Sequence, residues 1–161
     1  MREILLVRFG EVFLKGQNRP FFMKKLMDHI RQAVRPVNGR VWMSEGRFYV
    51  SDFTDMDECI RRVTRVFGVH SVSPAVEMDK DNFEAICEQA AKMMEPLSGT
   101  FKVLARRSDK RYPLDSPAIM REAGGYILDH VPQLTVDVNH PDHTMMIEIR
   151  DHAYLSVKRI P

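Results

Sequence analysis

Cysteine is scarce: the 161 residues hold two, Cys59 and Cys87, far apart and each inside an apolar helical pattern. A disulfide framework needs denser cysteine in a short secreted chain, and a zinc site usually needs close-spaced ligand pairs, so both thiols are expected to be reduced and buried. Long hydrophobic runs are missing too. The apolar stretch Ile4 to Val7 is cut at once by Arg8, which excludes a signal peptide or membrane span there and leads to a cytoplasmic assignment with no membrane partner. No linker, repeat or low-complexity tract divides the sequence. Net charge is small: 24 Lys+Arg against 22 Asp+Glu leave +2, so bulk charge names no partner. Catalytic signatures are also absent. There is no GxSxG, HExxH, GxxxxGK[ST] or GxGxxG frame, and His29, His70, His130 and His152 are scattered, so no catalytic residue is assigned.

What is present, 44% hydrophobic and 29% charged residues, suits a soluble globular chain of one ordinary domain or two small ones. Residues 3–9 read as a strand closed by the Gly10–Gly16 region. A helix follows, with Asn18 as a candidate N-cap, Pro20 in its first turn, and Phe22, Met23, Leu26, Met27, Ile30, Ala33 and Val34 at helical spacing. RVWMS and RFYVS flank Glu45-Gly46 as a hairpin. Asp55 opens another helix, with Glu58 at capping-box spacing, Cys59, Ile60, Val63, Val66 and Phe67 as its core face, and Gly68 at its end.

Charge is divided unevenly. Residues 1–56 carry 10 Lys+Arg and 6 Asp+Glu, a net of +4, whereas residues 57–161 carry 14 and 16, a net of −2. The βαββα order of the first half and this change of sign place a seam near residues 57–60, between a domain over 1–57 and one over 58–161. The second half reads as a strand at 70–78, a helix from Asn82 to Met94, the strand FKVLARR, and a helix introduced by Ser116 as N-cap and Pro117, with Ile119, Ala123, Tyr126 and Ile127 inward. Three alternating runs close the chain: Leu134/Val136/Val138, Met145/Ile147/Ile149 and Ala153/Leu155/Val157. Gly124-Gly125 reads as close helix packing. The fold class is α+β, a layer of helices on a sheet.

The densest basic feature is KVLARRSDKRYP, with Lys102, Arg106, Arg107, Lys110 and Arg111, and Asp109 as the only acid. Five cations with Tyr112 beside them can meet several phosphates and offer one stacking face; a solvated loop paired with surface carboxylates is the alternative. Lys15, Arg19, Lys24 and Lys25 form a second basic set, of a kind that is more often an ordinary solvated helix face. His140 and His143 with Asp137 and Asp142 are explained by the turn chemistry of Asn139-His140-Pro141-Asp142, so no metal is assigned.

The residues also resemble a family. VRFGEVFLKGQNRPFF is similar to the opening of the tRNA 4-thiouridine synthetases (tRNA sulfurtransferases), R-[YF]-G-E-x-x-x-K-G-x-N-R-x-x-F, through Arg8, Phe9, Gly10, Glu11, Lys15, Gly16, Asn18, Arg19 and Phe22. Gly46-Arg47-Phe48-Tyr49-Val50, Val66-Phe67-Gly68-Val69-His70, residues 106–113, Gly124-Gly125 and VDVNHPDHTMMIEIRDHAYL follow in the family's order. The resemblance implies an N-terminal ferredoxin-like domain and a THUMP domain that together grasp the acceptor stem and 3′-CCA end of tRNA. It also implies, in full-length members, homodimers, a sulfur donor protein, and an ATP-using domain that thiolates uridine 8 and serves thiamine biosynthesis. The SGGxDS phosphate loop and rhodanese cysteine of such members are not in this sequence, so the chain alone is expected to use no ATP and transfer no sulfur. Phosphate contact falls to Arg106, Arg107, Lys110 and Arg111, with Lys102, Tyr112, Lys15, Arg19, Lys24 and Lys25 in support. The alternative is a free-standing RNA-binding or protein-interaction module.

Overall fold

The computed structural model describes residues 1–10, 16 and 18–161. Its contacts divide the chain into two compact units, Glu3–Ala75 with Lys158–Pro161, and Met1–Arg2 with Val76–Val157. Among the described residues no helix is long and apolar enough to cross a membrane.

The first unit runs β1 (Arg2–Phe9), α1 (Arg19–Val34), a 3₁₀ turn (Arg35–Val37), β2 (Arg40–Ser44), β3 (Arg47–Ser51), α2 (Met56–Val63) and β4 (Val69–Met78), with strand order β2-β3-β1-β4. This is the βαββαβ arrangement of a ferredoxin-like fold, in which β3 lies antiparallel between β1 and β2. The hairpin works because Ser44 pairs Arg47 across two residues of positive φ, Glu45 at 47° and Gly46 at 82°, the twist a two-residue turn requires. Leu26, Ile30 and Val34 recur every fourth residue on α1 and meet Leu5, Val7, Phe48, Val50, Cys59, Val63 and Val72 in the core. At α2 the Asp55 carboxylate accepts the Glu58 N–H at 3.1 Å, as the capping spacing predicts.

Three expectations change here. The seam near 57–60 falls inside this unit, because Cys59 and Val63 are fully buried in its core and β4 completes its sheet beside β1. The change in charge therefore marks no structural boundary. Phe67 is not a core residue but 85% exposed. Helix α2 stops at Val63, the Thr64 hydroxyl bonding back to the Ile60 carbonyl at 2.8 Å, and Phe67 falls in the turn beyond. Phe22, also expected inward, is exposed.

The second unit holds α3 (Phe83–Met94), β5 (Gly99–Arg107), α4 (Ser116–His130), β6 (Leu134–Val136), β7 (His143–Ile149) and β8 (Ala153–Ser156), in strand order β8-β7-β5-β6. β5 lies parallel to both β6 and β7, and β7 antiparallel to β8. Ile86, Ala90 and Met94 of α3 and Ile119, Ala123 and Ile127 of α4 pack against Phe101, Met145, Ile147 and Leu155. Asn82 caps α3 by accepting the Ala85 N–H at 3.1 Å. The cap of α4 is Asp115, not Ser116: its carboxylate reaches the Ala118 N–H at 2.9 Å and Ser116 is already helical. Val136 and Val138 are 49% and 64% exposed, because β6 is a three-residue edge strand that ends before the alternation can return inward. In the following turn Asp137 accepts the Asn139 and His140 N–H groups, both at 3.0 Å, and Asp142 accepts the Thr100 N–H at 3.0 Å. Those carboxylates hold the loop.

Candidate nucleic-acid interface

The basic segment leaves the end of β5, where Arg106 pairs in register with Glu148 and Arg107 with Ile149 of β7. The Ser108 N–H continues that ladder to the Ile149 carbonyl at 2.9 Å. The chain then turns around Asp109, whose carboxylate accepts Lys80 Nζ at 2.9 Å and the Arg111 N–H at 3.1 Å. These bonds, the Lys80 ammonium first, hold the Asp109 carboxyl down at about 2. Lys80 also donates to the Arg150 carbonyl at 2.8 Å, and Tyr112 Oη donates to the Lys80 carbonyl at 2.7 Å. Arg107 Nη1 closes the turn from the other side by donating to the carbonyls of Lys110 at 3.1 Å and Tyr112 at 3.0 Å.

The six residues singled out in this segment thus separate. Arg106 and Lys110 are exposed and make no ion pair among the described residues, and the Arg111 side chain is 93% exposed with only a 3.5 Å approach to Asp109. Lys102 is half-buried, on the same face of β5 as Arg106. Arg107 has its Nη1 turned back onto the loop. Tyr112 departs furthest from the sequence reading: it is 7% exposed, packed in the core of this unit, and its phenol is pushed up to about 12 by burial and then by Asp81. Its ring presents no open face for a base. Lys80 was missed, and nothing local marks it, since it meets Asp109 only through the fold.

In the first unit Arg19, Lys24 and Lys25 are exposed on α1. Arg19 starts the helix, the first turn holds no acid, and Asn18 makes no side-chain cap bond, so positive charge stands at the positive end of the helix dipole. Lys25 Nζ lies 5.6 Å from the centre of the Phe21 ring. Lys15 and Glu11 lie outside the described residues. Cys59 and Cys87 are buried and their thiols are pushed up to about 12 and about 11, which keeps them in the unreactive protonated form near neutrality. Fixed guanidinium and ammonium groups can hold phosphates.

Comparison with known proteins matches this arrangement. Residues 4–73 fit the family model of the ThiI ferredoxin-like domain and residues 80–158 that of the THUMP domain. A "Probable tRNA sulfurtransferase" of Acetivibrio thermocellus is 43% identical over 96% of the chain, and one of Macrococcus caseolyticus 43% identical over 94%. The chain belongs to the tRNA sulfurtransferase family. It spans 42% and 39% of the length of those two relatives. Among solved structures, PH1313 from Pyrococcus horikoshii superposes with a TM-score of 0.85 at 33% identity, over 98% of this chain and 54% of that one. A 4-thiouridine synthetase in complex with RNA and ATP superposes with a TM-score of 0.85 at 27% identity, over 99% of this chain and 42% of that one. The ferredoxin-like and THUMP domains expected from the resemblance are therefore present, in that order.

Proposed function

We propose that this chain is the tRNA-binding region of a sulfurtransferase, positioning the acceptor stem and 3′-CCA end so that uridine 8 is thiolated by an ATP-dependent domain. The observation that supports this most is the basic turn after β5. Arg106, Lys110 and Arg111 face solvent on a loop held from beneath by Lys80–Asp109, Arg107 and Tyr112. Cations carried on a turn ordered before encounter require less backbone ordering when a phosphate arrives. Arg106, Lys110, Arg111 and Lys102 are the proposed phosphate contacts, Arg19, Lys24, Lys25 and Lys15 a second basic set, and Arg107 and Tyr112 positioning residues. The relatives named tRNA sulfurtransferase and the RNA-bound neighbour point to the same ligand class. ATP, a sulfur donor protein, pairing of subunits, a role in thiamine biosynthesis and a cytoplasmic location belong to the proposal for the whole enzyme.

The test is titration of the chain with tRNA across a salt series. Affinity should fall with a log–log slope of roughly 0.7–0.9 per phosphate contacted. The double variant Arg106→Ala/Lys110→Ala should bind more weakly with an unchanged unfolding transition. Unchanged affinity in that variant would sink the site, and equal affinity for tRNA lacking its CCA end would sink the end-reading part. No RNA binding at low salt, with stoichiometric binding of a protein instead, would favour the interaction-module reading.

A further inference from the structure

A groove of about 640 Å³ lies in the first unit between α1 and the β2–β3 hairpin. It is lined by Met23 and Met27, on one face of α1, and by Met43 of β2 and Phe48 of β3, which pair across the hairpin. Met43 is 49% exposed, and Met23 and Met27 are half-buried, so three thioether side chains remain open at the edge of a finished core. Methionine is unbranched and polarisable and repacks around what meets it, which is why it is over-used on surfaces that bind other proteins. Apolar surface gathered in one concavity, rather than scattered singly, marks an interaction site.

Charge limits what the occupant can be. Arg19 and Lys24 also line the groove, both exposed and neither ion-paired among the described residues, and no carboxylate lines it. The first turn of α1 holds no acid either. A second copy docked by the same patch would set these cations against their own equivalents, since a two-fold interface brings a surface onto itself. RNA can reach the two cations but gains little from the apolar lining. Phe48 is fully buried and Phe9 meets it edge-on at 5.7 Å, so neither offers an open flat face to a base. A protein segment with bulky apolar side chains on one face and carboxylates beside them matches both parts. From Arg19 to Met27 the helix wall runs roughly 12 Å, the length of about two turns of a docked helix.

We propose that this groove docks an acidic amphipathic helix of a partner protein, its apolar residues on Met23, Met27 and Met43 and its carboxylates on Arg19 and Lys24. The site lies in the first unit, whereas the tRNA-binding reading rests on the 106–111 turn of the second, and it gives Arg19 and Lys24 a second class of anion to meet. The probe is a displayed library of random peptides of roughly 16 residues, about four helical turns, panned against the chain. Enriched peptides are synthesised and titrated by fluorescence anisotropy. They should carry bulky apolar residues at i, i+3 or i+4, and i+7, set among Asp and Glu. Met43→Ser, at an exposed position, should keep the melting temperature, weaken peptide binding by about tenfold and leave tRNA affinity unchanged. Lys24→Glu should weaken the peptide similarly, and one of the peptide's single acid-to-lysine changes should bind this variant more tightly than it binds the parent chain. Should Met43→Ser lower the melting temperature, the Lys24→Glu exchange decides alone. No enrichment, enriched peptides without acids, or peptides that bind both variants as tightly as the parent overturn the groove. So does a chain that sediments as a dimer and is made monomeric by Met43→Ser, which would put a second copy there. Loss of tRNA affinity in Met43→Ser with peptide binding unchanged would put RNA there and overturns it too. The tRNA-binding reading stands or falls separately, by Arg106→Ala/Lys110→Ala.

Discussion

Lys80 Nζ and Asp109 Oδ2, 29 positions apart in the chain, close to 2.9 Å, and the same ammonium holds the Arg150 carbonyl at 2.8 Å. This contact fixes the turn that carries the exposed cations, so under the proposed tRNA-binding function Lys80 serves through loop order and Arg106 through charge. The two roles separate by salt dependence. Lys80→Met and Asp109→Asn should weaken tRNA binding by roughly threefold with an unchanged salt slope, whereas Arg106→Ala should lower the slope by roughly 0.7–0.9. Equal slope changes in Lys80→Met and Arg106→Ala would place Lys80 on a phosphate instead. The carboxyl of Asp109 sits at about 2 against an ordinary 3.8, so its stabilising contribution is whole above the ordinary value and is lost only as pH falls through about 2. Asp109 therefore imposes no pH dependence on binding near neutrality.

Tyr112 sets the opposite limit. Its buried phenol donates to the Lys80 carbonyl at 2.7 Å and is pushed up to about 12 from an ordinary 10. A raised folded value means that stability is complete below the unfolded pKa and declines as pH rises through the folded one, here from about 10 towards about 12. Tyr112→Phe should lose that decline and should not abolish tRNA binding, because the ring stays in the core. Urea midpoints across alkaline pH, paired with tRNA titration at neutral pH, check both halves. Loss of binding in Tyr112→Phe with an intact fold would mean that the turn depends on the hydroxyl bond to the Lys80 carbonyl, since a stacking role of the ring would survive the change.

Much of this fold was legible because its elements carry strong local periods. Leu26, Ile30 and Val34 mark α1, Glu45-Gly46 marks the hairpin, and Met145, Ile147 and Ile149 mark β7. The seam was not legible, since it depends on β4 lying beside β1, a pairing between distant segments that no window contains. For the same reason the basic turn was visible as charge but not as division of labour. Arg106 and Arg107 look alike in sequence, yet Arg107 spans the turn to two carbonyls while Arg106 is left to solvent. Tyr112 beside five cations suggested a stacking ring, and only its burial and the long-range bond to Lys80 reveal a core residue.

Glycines test packing with opposite signs. A Cβ on Gly39 would lie 2.7 Å from Val34 Cβ and 3.0 Å from Val50 Cγ1, both in the buried core of the first unit, whereas one on Gly125 meets open space. Gly39→Ala should therefore destabilise the chain by roughly 1–3 kcal/mol, as overpacking does. Gly125→Ala should stabilise it by roughly 1 kcal/mol through helix propensity. Urea unfolding of the two variants beside the parent gives the comparison, and a destabilised Gly125→Ala would mean that α4 needs its glycine for internal packing after all.

The thiols report on both cores at once. Cys59 is 0% exposed in the first core and Cys87 4% exposed in the second, and burial, joined at Cys87 by Glu122, Glu84 and Glu88, pushes them up to about 12 and about 11 from an ordinary 9. The thiolate is the reactive form, so at mildly alkaline pH each folded thiol should react with an aromatic disulfide reagent at least about a hundredfold more slowly than a free one. In denaturant both should react fully, giving two equivalents for the two free cysteines. The variants Cys59→Ser and Cys87→Ser assign the remaining slow phase to one core or the other. One fast equivalent in the folded chain would show that the corresponding core opens on the timescale of labelling.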